Sequence, residues 1–592
     1  MSLLDDLPLP AHSVDIAAMR RLSAQFPSPD LAFVDELALG LTNGSTCPRS
    51  FRAYRHHRGA MDHSQAVDDS LASEADLSPP RNLGPLPGPP TWPAVAVPWN
   101  VDVKVLPDKT KLRVCTDFSE SCAPHSINAG IDLGLEPVHI MARLRNLAAA
   151  SAIYEAHGLR PHLWGLDLTS AYRQLPRRPS ELWQQSRIWS KGWYLDLRAV
   201  FGDRSLVHKF TRLSNLICHW LRGRAASRPV RDPDIARFRL SRARALGSAQ
   251  SLPAWLMMYI DDLLGVSASE AVAADDLADA LRLLNDEIGM PTSAPKTIAP
   301  TRAADGLGGH IDLDAGTVTL SDAFVDKLHL RTSAVLECES FSRKALETLV
   351  YSQAHAALFF PRLKSGLYVS FAFFRKHGGP STQQSDVSPR FVAFAAEVLQ
   401  TVAAGPSLPL LPVLAFPPRG DPSRIDIESD AAGTVGYGCI LLPPDEVSPV
   451  FVFYGKWTAE ENRRIHINLK EHVVTFWGAT LFADLFPGAY AMEWIDNKVS
   501  IAAAVSSKSA SAPMREIQRR RSLVHRRSGW VTRQEYIPSK LNTIADALSR
   551  DARSDARASL EARGPGLLSR WFEIPVPPDL RDLGWLLDFC AP

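Results

Sequence analysis

The chain has 592 residues and a mass of 65.0 kDa, room for about three to five domains at roughly 150 residues each. Apolar residues make up 45% and charged residues 22%, ordinary values for folded protein, so disorder throughout is excluded. Lys+Arg total 65 against Asp+Glu 64, a net charge of +1, which neither announces nor excludes a nucleic-acid partner, because a basic groove can sit beside an acidic site. Apolar runs such as Leu408 to Phe416 are short and broken by proline, so no membrane span is expected. The opening Met-Ser-Leu-Leu-Asp-Asp lacks the basic start and apolar core of a secretion signal. Seven scattered cysteines with no Cys-x-x-Cys pair read as reduced thiols of a cytoplasmic or nuclear protein.

Proline divides the chain. There are 45 prolines, above the roughly 5% usual, and they concentrate in two stretches. Residues 1–77 carry weak helical patches and a basic aromatic run from Arg49 to Arg58, with no legible role. Residues 78–98 read as a linker unable to hold a helix or a central strand, and residues 404–422 as a second linker. Between them lie a mixed block, 99–324, and a helical block, 325–403; a strand-first block, 423–551, and an unread tail, 552–592, follow.

In chain order, residues 163–176 place Asp167 at the end of a short apolar strand, although Asp before Leu-Thr-Ser also suits a helix N-cap. Residues 222–244 hold eight arginines with Pro229 and Pro233, which reads as a flexible basic insertion touching nucleic acid or as a disordered loop. Residues 255–266, WLMMYIDDLLGV, fit a hairpin with Asp261 and Asp262 at its tip. Adjacent carboxylates repel and are costly to hold together unless a cation neutralises them; the alternative is a solvated acidic turn. Val387, Phe391, Phe394, Val398 and Val402 keep helical spacing after Ser388-Pro389.

Residues 425–442 read as a hairpin with Asp430 near its turn. Leu469, Val473, Phe476, Trp477, Thr480 and Leu481 form a helical stripe. Glu471 lies in that helix's first turn, where it could merely complete a cap with Asn468. A strand ends at Asp496, and residues 541–550 place Asp546 on a short helix. Taken singly, Asp430 and Asp546 could be ordinary surface acids. Seven arginines between Arg515 and Arg533 suit either a solvated face or phosphate binding.

Taken together, Asp167-x-x-x-x-Tyr172 and Tyr259-Ile-Asp-Asp262 resemble the palm of reverse transcriptases, with 94 residues between Asp167 and Asp261. Asp430, Glu471, Asp496 and Asp546, spaced by 41, 25 and 50 residues, resemble the ribonuclease H domain of retroelements, including its Asn542-x-x-x-Asp546-x-Leu-Ser-Arg550 ending. The LWGLDLTSAYRQLP and FGDRS segments lean toward a retrotransposon of DIRS-like or long-terminal-repeat type. The resemblance spans roughly residues 100–550 and departs from the family at Ser119 and Val200, where an arginine and a proline are usual.

The resemblance implies an α+β multidomain chain: a right-hand polymerase with fingers, palm and thumb, then an α/β ribonuclease H-like domain. It implies two Mg²⁺ (or Mn²⁺) per active site, held by Asp167, Asp261 and Asp262 in the first and by Asp430, Glu471, Asp496 and Asp546 in the second. Arg113 and Lys111 would meet the triphosphate, and Lys296 would protonate pyrophosphate. Tyr172 would exclude a ribose 2′-OH by shape, and Phe201-Gly202 would grip the template. The implied partners are an RNA template, a DNA primer, dNTPs and an RNA–DNA hybrid, whose 2′-OH groups would mark the strand to be cut. A catalytically inactive, domesticated nucleic-acid-binding relic of such an element is the alternative; an RNA-copying RNA polymerase is a third reading, opposed by Tyr172 and the second carboxylate set.

Overall fold

A computed structural model describes residues 13–27, 30–86, 93–105, 110–119, 126–131, 140–190, 192–246, 255–360, 363, 366–377, 381–383, 386–404, 408–409, 421–445, 447–497, 511–528, 530–564 and 566–590. It mixes helix and sheet in two compact units. One runs to Leu307 and takes in Asp312–Ala315; the other holds Gly308–Ile311 and continues from Gly316.

The first unit begins with helices α1 (Ile16–Gln25) and α2 (Leu31–Leu39). Asp15 caps α1 by accepting from the Ala18 N–H at 2.8 Å. Two strands of the region read as fingers follow, β1 (Trp99–Val105) and β2 (Thr110–Thr116), paired antiparallel. The region read in the sequence as a palm comprises β3 (His162–Asp167), α3 (Leu206–Ser227), α4 (Pro233–Leu246), β4 (Trp255–Tyr259), β5 (Asp262–Ser267), α5 (Glu270–Leu281) and β6 (Ile298–Thr301). Its sheet order is β6-β3-β5-β4. Trp164 and Leu166 of β3, Phe210 and Trp220 of α3, and Leu283 after α5 share one core with Met19, Leu22, Phe33 and Leu37 of α1 and α2. Helices α1 and α2 therefore contribute to the same hydrophobic core, which the weak periodicity of the N-terminal region does not reveal.

The sequence reading needs two corrections in this unit. Within the stretch read as a linker, Asn82–Leu86 and Val95–Ala96 are strands of a five-stranded sheet with Arg52–Ala53, Ser186–Trp189 and Gly192–Asp196. Val95–Ala96, free of proline, sits between two neighbours, whereas Pro85 lies on the edge strand at a break in register. Residues 87–92 lie outside the described residues. The arginine-rich insertion is likewise no loop: it forms the end of α3 and α4. Arg224 donates to Glu287 (2.9 Å), and Arg228 pairs with Asp276 (2.8 Å) and Asp279 of α5, so acids of the palm neutralise these cations.

The second unit opens with α6 (Asp322–Leu336), α7 (Arg343–Phe359), α8 (Leu367–Lys376) and α9 (Pro389–Ala403). Ser388 caps α9 with Pro389 in its first turn, and Phe391, Phe394, Val398 and Val402 are buried. Of the second proline-rich stretch, residues 405–407 and 410–420 lie outside the described residues.

A six-stranded sheet follows, built from β7 (Arg424–Ala431), β8 (Gly436–Leu442), β9 (Val450–Lys456), β10 (Tyr490–Ile495), β11 (Val531–Tyr536) and β12 (Trp571–Glu573) in the order β11-β10-β7-β8-β9-β12. Its helices are α10 (Ile467–Ala483), α11 (Ala512–Ser528), α12 (Thr543–Ser549) and α13 (Arg553–Arg563). The stripe expected on α10 is wider than read: Leu469 to Ala479 are all buried. The tail unread in the sequence supplies α13, whose Ala556 and Leu560 pack on Ile440, Val450 and Leu548, and the edge strand β12. Among the described residues no helix is long and apolar enough to cross a membrane.

Several buried arginines tie the first unit together. Arg177 is fully buried and pairs with Asp203, which also accepts from the Ser205 N–H and Oγ at 2.8 Å each. Removing one partner of such a pair strands a buried charge. Asp203→Ala is expected to destabilise this unit by about 3–5 kcal/mol, read as a lower denaturant midpoint; a loss under about 1 kcal/mol would contradict the role given to the pair.

Candidate active sites

The first site is made by sheet register. Antiparallel pairing sets Asp262, the first residue of β5, directly opposite Asp167, the last residue of β3. Asp261 occupies the turn between β4 and β5, where Ile260 takes a left-handed φ of 59°. Ser214 of α3 steadies that turn by donating to the Ile260 carbonyl (2.7 Å), and the Leu168 N–H donates to the Asp261 carbonyl (3.3 Å). Each of the three aspartates offers an oxygen within 4.8 Å of the others.

Burial raises the Asp261 carboxyl, and the Asp167 charge adds to it. Burial, a hydrogen bond with Asp167 and the charges of Asp261 and Asp167 push Asp262 up to about 7, although the residue keeps surface in contact with solvent. Lys296 offsets this crowding by donating from Nζ to Asp167 Oδ2 at 2.7 Å.

Arg113, Phe201, Asp167, Asp261 and Lys296 line one cavity of about 490 Å³. Gly202 allows the fingers to approach: its φ is +103°, and a Cβ there would lie 2.0 Å from the Thr116 carbonyl of β2. Phe201 is 48% exposed, whereas Tyr172 is 8% exposed and absent from the cavity lining. The Tyr172 ring stands edge-on to Phe201 (5.0 Å) and Phe210 (5.3 Å), so the cavity wall next to Tyr172 is Phe201. Lys111 lies opposite Lys104 on the fingers hairpin, and its side chain is outside the described residues.

The second site sits at the ends of parallel strands. β7 and β10 run side by side, which brings Asp430 near the end of β7 close to Asp496 just beyond β10. Glu471 reaches in from α10; its Oε1 accepts from the Ala431 N–H at 3.3 Å, and its Oε2 is buried without a hydrogen-bond partner. It does not complete a cap, because the N-cap of α10 is His466. Asp430, Glu471 and Asp496 bring oxygens within 4.8 Å of one another.

Asp546 stands outside this trio and is held by Arg550, one helical turn on, whose Nε lies 2.9 Å from both carboxylate oxygens. Gly438 lets α12 come this near, since a Cβ there would lie 2.4 Å from the Leu548 Cβ. Burial, with the charges of Asp496 and Asp546, pushes Asp430 up to about 6 against a hydrogen bond donated by Ser549. Glu471 is raised well above the usual carboxylate range by burial and by Asp430 and Asp496.

Ser549 and Arg550 are functional neighbours whose roles the sequence reading missed; their place in the Leu-Ser-Arg ending was the available signal. The arginines of α11 mostly serve the fold. Arg519 and Arg520 pair with Glu516, Arg521 is buried against Glu493 and so serves the fold, and Arg527 pairs at the surface with Asp484.

The chain matches no known protein-family model. No curated protein matches it in sequence. Among solved structures it is similar to a foamy viral protease–reverse transcriptase in complex with double-stranded DNA, at 14% identity and a TM-score of 0.42, over 88% of this chain and 81% of that one. It is similar to a foamy viral protease–reverse transcriptase in complex with an RNA/DNA hybrid, at 13% identity and 0.41, over 89% and 64%. It is also similar to an N-terminal ribonuclease H domain from Mycobacterium tuberculosis fused to maltose-binding protein, at 21% identity and 0.19, over 23% and 98%.

Both carboxylate trios fit a hard divalent cation. Every donor is oxygen, the three carboxylates of the first site share one ion pair, to Lys296, and Glu471 Oε2 is buried without a hydrogen-bond partner. Mg²⁺ or Mn²⁺ is therefore expected to raise the thermal midpoint, by about 2.7 kcal/mol of stability at a hundredfold excess over Kd. Glu471→Gln should melt higher than wild type in chelator, because a repelling charge is gone, and should gain less from cation. Equal cation responses in the two proteins would contradict the site.

Proposed function

We propose that the chain is an RNA-directed DNA polymerase of a retroelement that also degrades the RNA of RNA–DNA hybrids. The observation that carries this reading is the presence of two separate carboxylate trios, each assembled at strand ends from distant segments. Two Mg²⁺ or Mn²⁺ at each site would supply Lewis-acid activation of the attacking oxygen and stabilisation of the leaving one. Asp167, Asp261 and Asp262 would hold them in the first site; Asp430, Glu471 and Asp496 would do so in the second, with Asp546 joining once free of Arg550.

The protein's other groups then have definite work. Arg113, facing the aspartates across the cavity, orients the triphosphate. Lys296, already at the cluster, is within reach to protonate the departing pyrophosphate. Phe201, backed by Tyr172, walls the sugar and rejects a 2′-OH by shape. The LWGLDLTSAYRQLP and FGDRS segments support a DIRS-like retrotransposon as the source.

Extension of a DNA primer on RNA tests the reading. Asp261→Asn is expected to abolish extension and spare hybrid cleavage, and Asp496→Asn to do the reverse. Loss of both activities in either variant would sink the two-site reading; hybrid binding with no turnover by wild type would favour the relic. Phe201→Ala should raise rNTP use relative to dNTP by about tenfold or more, the scale of one pocket-filling contact, measured in single-nucleotide incorporation.

A further inference from the structure

The N-terminal arm had no legible role, yet one of its helices, Ser64–Ala75, lines the same cavity as the catalytic aspartates through Val67, Ser70, Leu71 and Glu74. The helix is fastened to the five-stranded sheet that holds Asn82–Leu86 and Ser186–Trp189. Trp189 Nε1 donates to Asp68 at 2.8 Å, and Asn82 Nδ2 donates to the Leu71 carbonyl at 3.1 Å. The other end of the arm is fastened to the palm helix α3, whose Arg212 donates to Asp30 at 2.7 Å from both Nε and Nη2.

Glu74 makes the consequential contact. Arg173 donates to it twice, Nε to Oε1 at 2.8 Å and Nη2 to Oε2 at 2.5 Å, and donates through Nη1 to Asp196 at 2.7 Å. Arg173 is 8% exposed and belongs to the single helical turn Ala171–Gln174 that follows Asp167 and carries Tyr172. The turn is also held by a left-handed Ser170 at φ 51°, by Gln174 Nε2 donating to the Thr169 carbonyl at 2.5 Å, by the Thr169 N–H donating to the Pro291 carbonyl at 2.9 Å and by Ser13 Oγ donating to the Gln174 carbonyl at 2.8 Å, but Glu74 is the partner that Arg173 binds through two nitrogens. Arg187 shares Asp196 at 3.1 Å, and Arg81 lies 3.9 Å from Glu74. Three guanidinium groups thus rest on two carboxylates, and without Glu74 they would rest on one. Buried cations in that position reorganise toward whatever anion remains.

We propose that the helix Ser64–Ala75 is a wall of the nucleotide site and that Glu74 is a positioning residue, which acts through Arg173 to fix the turn bearing Tyr172. The substrate class is the deoxynucleoside triphosphate, so the inference rests on the polymerase reading. The effect falls on nucleotide binding and not on grip of the primer–template, because the contacts of Glu74 are with the turn, the cavity and Arg81.

The test is titration of dNTP into the full chain bound to an RNA template and a dideoxy-terminated DNA primer, which binds nucleotide without turnover. Glu74→Gln is expected to weaken dNTP binding at least tenfold, with primer–template affinity unchanged and hybrid cleavage by the second unit at wild-type rate. Glu74→Asp should recover part of the loss, which a merely structural role would not give. Ser70→Trp, which leaves the ion pairs intact and fills the cavity from the same helix, should weaken dNTP binding to a similar extent and keeps the test open if Glu74→Gln fails to fold. Wild-type dNTP affinity in Glu74→Gln, or in Ser70→Trp if Glu74→Gln does not fold, would overturn the inference and leave the polymerase reading standing. Absence of dNTP binding by wild type itself would overturn both.

Discussion

The structure turns on like charges held together by backbone hydrogen bonds. No pair of carboxylates gathers spontaneously, so the chain places them at the ends of neighbouring strands, where a cooperative ladder fixes their spacing. In the palm the ladder is antiparallel and makes Asp167 and Asp262 direct partners. In the second unit it is parallel, and β7 and β10 end together. The raised carboxyls of Asp262, Asp430 and Glu471 record burial first and that enforced proximity second. The remaining contacts answer it: Lys296 leans on Asp167, Arg550 on Asp546, and Ser549 on Asp430.

Charge is also used away from these sites, as internal bracing. Behind the six-stranded sheet, Glu493 of β10 is buried against Arg521 of α11 and accepts from Gln534 Nε2 at 2.7 Å. His472 on α10 is fully buried, and burial pushes its imidazole down to about 3, so it packs there as a neutral ring. A second brace comes from the end of the chain. Arg581 donates to Glu461 and lies over Tyr437 (5.4 Å), Trp457 (5.8 Å) and Trp477 (5.3 Å). These contacts bind α11 and the C-terminal segment to the sheet that presents Asp430 and Asp496.

The sequence disclosed what is local and periodic. The Asp-Asp hairpin, the strand ending at Asp167 and the Ser388-Pro389 helix start were legible because each depends on residues close in the chain, and the order of the second carboxylate set through its resemblance to a known family. Pairings across long loops were not. Glu74 meets Arg173 across 99 residues, and Arg228 meets Asp276 across 48, so an arginine-rich stretch looked like a solvated loop when its counter-charges lay elsewhere. Burial misled in the same way: Tyr172 has the right spacing from Asp167, but only packing shows that Phe201 stands between it and the cavity. The C-terminal strand was invisible because three residues of β12 carry no period; they become a strand only when β9 offers them a partner.

That short strand matters for solubility as well as shape. β12 pairs in parallel with Val450–Val452, the Ile574 N–H donates to the Val452 carbonyl at 2.8 Å, and Arg581 donates to the Lys456 carbonyl at 3.0 Å. Together they occupy backbone groups along an outer strand whose sequence, Val-Phe-Val-Phe-Tyr, is rich in β-branched and aromatic residues. Proteolytic clipping of the chain between α13 and β12 would bare that strand and offer it as a template for the same strand of another copy. The segment from β12 to Arg581 thus covers an edge that, left bare, has the composition that favours edge-to-edge pairing.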